Sequence, residues 1–93
     1  MKLYLIHTGY YDKSFGDGFY EQHTNMFIVA KNAYEAREKV KKDKDYIAKK
    51  MHIDGIKEIE NIGGYDIQLK KSNSKQRVTS LNHYQVRFLK SES

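Results

Sequence analysis

Two histidines and three acids stand at spacings from which chemistry could be built. Glu21-Gln22-His23 leads into one apolar run, His52-Ile53-Asp54 leads into another, and Glu58 follows within the second. If the ends of those runs meet in space, two imidazoles and a carboxylate could bind a divalent cation or serve as acid and base. Histidine titrates near neutrality and also ligates zinc, iron or nickel. The spacing matches no established metal signature such as His-Glu-x-x-His, and a carboxylate at a strand end commonly accepts backbone donors of the following turn, as Asp54 could. Structural hydrogen bonding is therefore the preferred expectation. Glu21, His23, His52, Asp54, Glu58 and Tyr65 form the candidate ligand or structural site, with no catalytic, metal-ligating or cofactor-binding residue assigned and no cofactor expected.

Other chemistries lack their residues. Gly16-Asp17-Gly18 has no helix directly after it, whereas a phosphate cradle needs a loop feeding a helix N-terminus or an equivalent amide nest. No Gly-x-Ser-x-Gly elbow occurs. The chain contains no cysteine, which excludes disulfides, thiolate metal sites and cysteine nucleophiles and is compatible with a reducing compartment, so a cytoplasmic location is expected. The net charge of +5 favours anionic partners in general. Lys39, Lys41, Lys42, Lys44, Lys49 and Lys50 crowd one segment, but Glu35, Glu38, Asp43 and Asp45 are interspersed with them, the pattern of a solvated helix face. Weak nucleic-acid binding through that basic segment is thus a second alternative, without a recognised motif behind it.

The elements that must position these residues follow from periodicity. A chain of 93 residues is one domain with room for one sheet layer and one main helix. Leu3 to His7 reads as a strand apolar on both faces, which suits a central position. Thr8 to Gln22 reads as a long aromatic and glycine-bearing connection, packed down by its own rings or against a second subunit. His23 to Ala30 is the second strand. Asn32 is an N-cap with Glu35 three positions on, so a helix starts at Ala33, with Ala33, Ala36 or Arg37, Val40 and Ile47 on its buried stripe. Its regularity weakens around residues 42–45.

Ile53, Ile56, Ile59 and Ile62 are spaced by three, a helical period, yet Gly55 lies among them and Gly63-Gly64 closes the run before Tyr65, Ile67 and Leu69 alternate with polar residues. Two strands joined by a tight Gly-Gly turn fit this best. Residues 72–76 are a polar linker, and Tyr84, Val86 and Phe88 alternate in a way that allows a fifth strand. The expected fold class is α+β: a small antiparallel sheet in the order β-β-α-β-β, with one main helix packed on one face. Residues 1–70 form the domain, and 71–93 form a linker plus C-terminal strand or tail. The apolar run at Met1 to His7 is far shorter than a signal-peptide core, and no segment approaches the ~20 apolar residues of a membrane span, so no membrane partner is expected.

Met1-Lys2-Leu3-Tyr4, Gly9, Glu21-Gln22-His23 leading into Phe27-Ile28-Val29-Ala30, then His52-Ile53-Asp54, Lys57-Glu58-Ile59 and Gly64-Tyr65-Asp66-Ile67 together resemble the bacterial family named domain of unknown function 1543. The likeness runs from Met1 to about Lys70. It implies no catalytic residue. Relatives carrying two copies of the unit imply that a single copy could pair with itself. His7, inside a strand, and His83, outside the likeness, are read as packing or surface residues. The function expected is a small cytosolic interaction or regulatory module that self-associates, most simply as a homodimer. The first alternative is a small-molecule or metal-binding, enzyme-like site around His23 and His52.

Overall fold

The computed structural model describes residues 1–91. Strand β1 (Lys2–Tyr11) lies between β2 (Glu21–Ala30) and β3 (His52–Glu58), and both neighbours run antiparallel to it. A strand with apolar residues on both faces belongs in that central place. β1 continues past His7 to Tyr11 because β2 pairs with it along its whole length, from Lys2 opposite Ala30 to Tyr11 opposite Glu21. The connection between them shrinks accordingly. It is held by Asp12, whose carboxylate accepts from the Ser14 amide at 2.9 Å and hydroxyl at 2.6 Å, and by a turn at Gly16–Gly18 whose three residues all have positive φ.

Helix α1 (Ala33–Lys41) starts where the cap predicts, with Asn32 Oδ1 accepting from the Glu35 amide at 2.9 Å. Ala36 and Val40, four residues apart on one face, are fully buried against the sheet. The helix breaks at Lys42, and Asp43 caps a second, short helix α2 (Lys44–Ala48) by accepting from the Asp45 and Tyr46 amides. Inside α2 the half-buried Tyr46 packs on the core while Ile47 is 62% exposed, so the stripe expected at Ile47 falls one residue earlier.

Ile6, Tyr4, Ala30, Ala36 and Val40 form the buried core, with Met26, Ile28, Tyr46, Ile53 and Ile56 packed around it. Both Ile53 and Ile56 reach that core although an odd spacing should place them on opposite sides of a strand. The pairing explains it: His7 faces Gly55 and Thr8 faces Ile53, so Asp54 is an extra residue on β3 and the alternation is reset across a β-bulge.

The Gly63-Gly64 turn forms as expected, with φ of +59° and +85° that glycine adopts without strain, between β4 (Asn61–Ile62) and β5 (Tyr65–Asp66). Its arms are only two residues long. The isoleucine-rich piece pairs with β1 instead of folding back on residues 65–69, because β1 offers a long apolar partner next to the core. The fifth strand expected from the alternation at 84–88 does not form. Residues His83–Arg87 make a short helix, α3, opened by an Asn82/Gln85 capping box in which each side chain bonds the other's backbone amide. That local start signal prevails over the alternation of Tyr84, Val86 and Phe88. Among the described residues no helix is long and apolar enough to cross a membrane.

The core therefore lies on one face of one sheet. Ile6→Ala, at a fully buried position in its middle, is expected to cost about 2–5 kcal/mol in urea unfolding, and Ile62→Ala, in the exposed small hairpin, less than about 0.5 kcal/mol.

Candidate metal centre

The opposite face of the sheet carries the chemistry. On β1 the residues turned away from the helices include Leu3, Leu5, His7, Gly9 and Tyr11; the pairing puts His23 of β2 directly opposite Gly9 on one side and His52 of β3 opposite it on the other. Glu21 precedes His23 by two residues and Asp54 follows His52 by two, so all four side chains rise from the same face. They lean inward over Gly9, which is buried beneath them.

His52 Nε2 lies 2.8 Å from Glu21 Oε1 and 3.1 Å from Asp54 Oδ1. His23 Nε2 lies 3.1 Å from the same Glu21 oxygen and 3.4 Å from Asp54 Oδ2. The four side chains are about one third to one half exposed, so the cluster is an open well and not a buried network. Its two carboxylates make it a seat for positive charge. Hydrogen bonding from His52, seconded by the nearby imidazoles, holds the Glu21 carboxyl below its ordinary range against the opposing effect of partial burial.

Gly9 makes the well possible. A Cβ built there would collide with Glu21 Oε1 and would sit 2.6 Å from His52 Nε2 and 2.7 Å from Asp54 Oδ2. These are three potential metal-donor atoms converging on one point. Glu21, His52 and Asp54 form one set whose donor atoms all lie within 4.8 Å of one another, and His7, His23 and Asp54 form another.

Of the six residues singled out in the sequence, the fold gathers Glu21, His23, His52 and Asp54. Glu58 lies toward the other end of the sheet, opposite Tyr4, where it pairs with Lys2 at 3.4 Å and accepts from the Tyr4 hydroxyl at 3.4 Å. Its hydrogen bond with Glu60 keeps the Glu58 carboxyl below the usual range and raises that of Glu60. Tyr65 sits in the small hairpin, 78% exposed. Two residues not assigned from the sequence belong to the well: Gly9 and His7, whose ring stacks on His23 with centroids 4.9 Å apart and planes within 8°. The signal for both is alternation, since His7 and Gly9 share one face of β1. Of the basic segment, Lys39 donates to the Val29 carbonyl at 2.7 Å and pairs with Glu35 at 3.3 Å, and Lys49 covers the Tyr10 ring at 4.8 Å.

A carboxyl held low in the folded state adds stability above its unfolded pKa, about 4.3 for glutamate, and loses it as pH falls through the lowered value. In metal-free buffer the urea midpoint of the native chain should therefore drop on acidification below that range more steeply than the midpoint of Glu21→Gln, and parallel curves would show the hydrogen bond to be inconsequential.

The profile of a family described as Domain of Unknown Function (DUF1543) matches residues 18–69, a stretch that holds β2, both helices after it, β3 and the small hairpin. Glu21, His23, His52 and Asp54 all fall inside it, while His7 and Gly9 precede it. No curated protein and no solved structure matches the chain. With more than half of its length matched, and with the four converging side chains within that match, the chain belongs to the DUF1543 family.

Proposed function

We propose that this protein binds a divalent transition-metal ion in the well above Gly9, through Glu21, His52 and Asp54. One observation carries the reading: the three atoms that crowd the position of a missing Cβ at Gly9 are an imidazole nitrogen and two carboxylate oxygens from three different residues. An ion bound at about 2.0–2.2 Å from each donor allows donors up to about 4.4 Å apart, so a spread within 4.8 Å closes with movements of tenths of an ångström. One imidazole with two carboxylates suits zinc, iron or manganese. Two negative charges match a dication. Three protein ligands leave a coordination position open toward solvent, as in metal sites that work on a bound water or anion. The ion takes the place of the proton by which His52 now bonds Glu21, so binding and protonation compete.

Self-association is a second reading, favoured by the apolar half of the same face. Phe27 is 68% and Val29 42% exposed there, beside the half-buried Leu3 and Leu5, and among the described residues β2 is an edge strand.

Isothermal titration of the full chain with zinc chloride should show binding that weakens as pH is lowered, and His52→Ala should reduce affinity by more than about 100-fold, beyond what loss of an outer-shell partner does. Gly9→Ala should keep the far-ultraviolet circular dichroism spectrum while losing most of the affinity, since the flexible ends above it must part. Absence of any zinc heat with the native chain removes the metal reading. For self-association, sedimentation equilibrium at micromolar concentration should give a dimer that Phe27→Ser converts to monomer, and a native chain that stays monomeric removes that reading.

A further inference from the structure

His7 is an imidazole that the site just proposed does not use. It faces the same well, one residue pair along β1 from Gly9, and lies in a group with His23 and Asp54 whose donor atoms are all within 4.8 Å of one another. Its other nitrogen is already committed: Nδ1 is 2.9 Å from Asn25 Oδ1. An amide oxygen only accepts, so Nδ1 is the donor of this bond and Nε2 is the nitrogen left for a ligand. This is the arrangement by which an outer-shell acceptor fixes the tautomer and ring direction of a metal-ligating histidine. The near-parallel stack with His23 keeps the two rings side by side.

Asp54 joins the two groups. Its Oδ1 is the oxygen near His52, at 3.1 Å, and its Oδ2, which also overhangs Gly9, is the oxygen near His23, at 3.4 Å. A carboxylate that offers one oxygen to each of two ligand sets is the geometry of a bridge between paired cations, which sit roughly 3.5–4 Å apart in two-metal sites. Position 54 is free to take that stance because it is the unpaired residue of the β-bulge. A cavity of about 360 Å³, lined by Leu5, His7, Asn25, Gly55 and Lys57, borders His7 beside the Asn25 contact.

Building on the metal reading above, we propose that the well holds a second divalent cation, bound by His7, His23 and Asp54 Oδ2, with Oδ1 left to the first ion, so that Asp54 bridges a two-metal centre. The first ion occupies the set with two carboxylates and binds more tightly; the second follows at higher metal concentration, held by two imidazoles and the shared carboxylate.

Zinc titration of the full chain, followed by calorimetry and by imidazole nitrogen-15 NMR, tests it. The expected result is two equivalents per chain, the first shifting the His52 Nε2 resonance and the second those of His7 and His23. His7→Ala should lose the second equivalent and keep the first, and His83→Ala, altered in the short helix α3 and a member of neither donor set, should keep both. Saturation at one equivalent, a His7 resonance that does not move, or two equivalents retained by His7→Ala overturns the two-metal proposal while leaving the first site standing. No binding by the native chain overturns both.

Discussion

A side chain at position 9 and the group of imidazoles and carboxylates above it cannot occupy the same space. Neighbouring strands lie about 4.8 Å apart, so the backbones carrying His23 and His52 are separated by roughly 9.6 Å across β1. Their rings meet common acidic partners only because the strand between them puts nothing in the way. Gly9 is not among the glycines with positive φ, so backbone freedom is not why glycine stands there. Space is the reason. A glycine inside a central strand costs about 0.5–1 kcal/mol relative to alanine, a cost that falls in the best-paired strand of the sheet, where full-length pairing with β2 and the buried Ile6 and Tyr4 nearby offset it.

The bulge at Asp54 is the second constraint, and it ties the core to the well. Without an extra residue on β3, an inward Ile53 would force Ile56 outward, and either the core or the outer face would lose a member. With it, Ile53 and Ile56 both pack inward while His52 and Asp54 both point outward. The same irregularity thus keeps the apolar surface buried and frees a carboxylate from strict pairing. A bulge next to a functional site is a common way to re-aim one side chain.

The helix cap at Asn32, the break after Lys41, the central place of β1 and the glycine turn at 63–64 were legible in the sequence because each rests on short-range signals: a capping residue, an interrupted stripe, apolar residues on both faces, a pair of glycines. The gathering of Glu21, His23, His52 and Asp54 was legible only as a condition, that two strand ends should meet. What hid the rest was register. Isoleucines spaced by three read as helix or as a broken alternation until the bulge is known, and His7 reads as a packing residue until β1 is seen to continue through Gly9 to Tyr11. The short helix at His83–Arg87 illustrates the converse: alternation of Tyr84, Val86 and Phe88 suggested a strand, but a strand needs a partner and a capping box does not.

The outer face of the sheet is itself divided along the strands. Leu3 and Leu5 on β1 lie beside Val29 and Phe27 on β2, whereas His7, Gly9 and Tyr11 lie beside Asn25, His23 and Glu21. The donors are therefore confined to the end where β2 begins, with an apolar strip at the end where it runs into α1. Apolar surface next to a charged well limits the water that can screen it on that side, and Coulomb attraction strengthens as local screening falls. The hydrophobic surroundings of a metal site tune its ligands in this way. Helix α1 packs on the other face through Ala36 and Val40, so the residues that hold the fold, Tyr4, Ile6, Ala36 and Val40, and the residues that would hold a cation are separated by the thickness of one sheet. Substitutions among the donors leave the apolar core intact, so what they change in stability is confined to the hydrogen bonds and charges of the well.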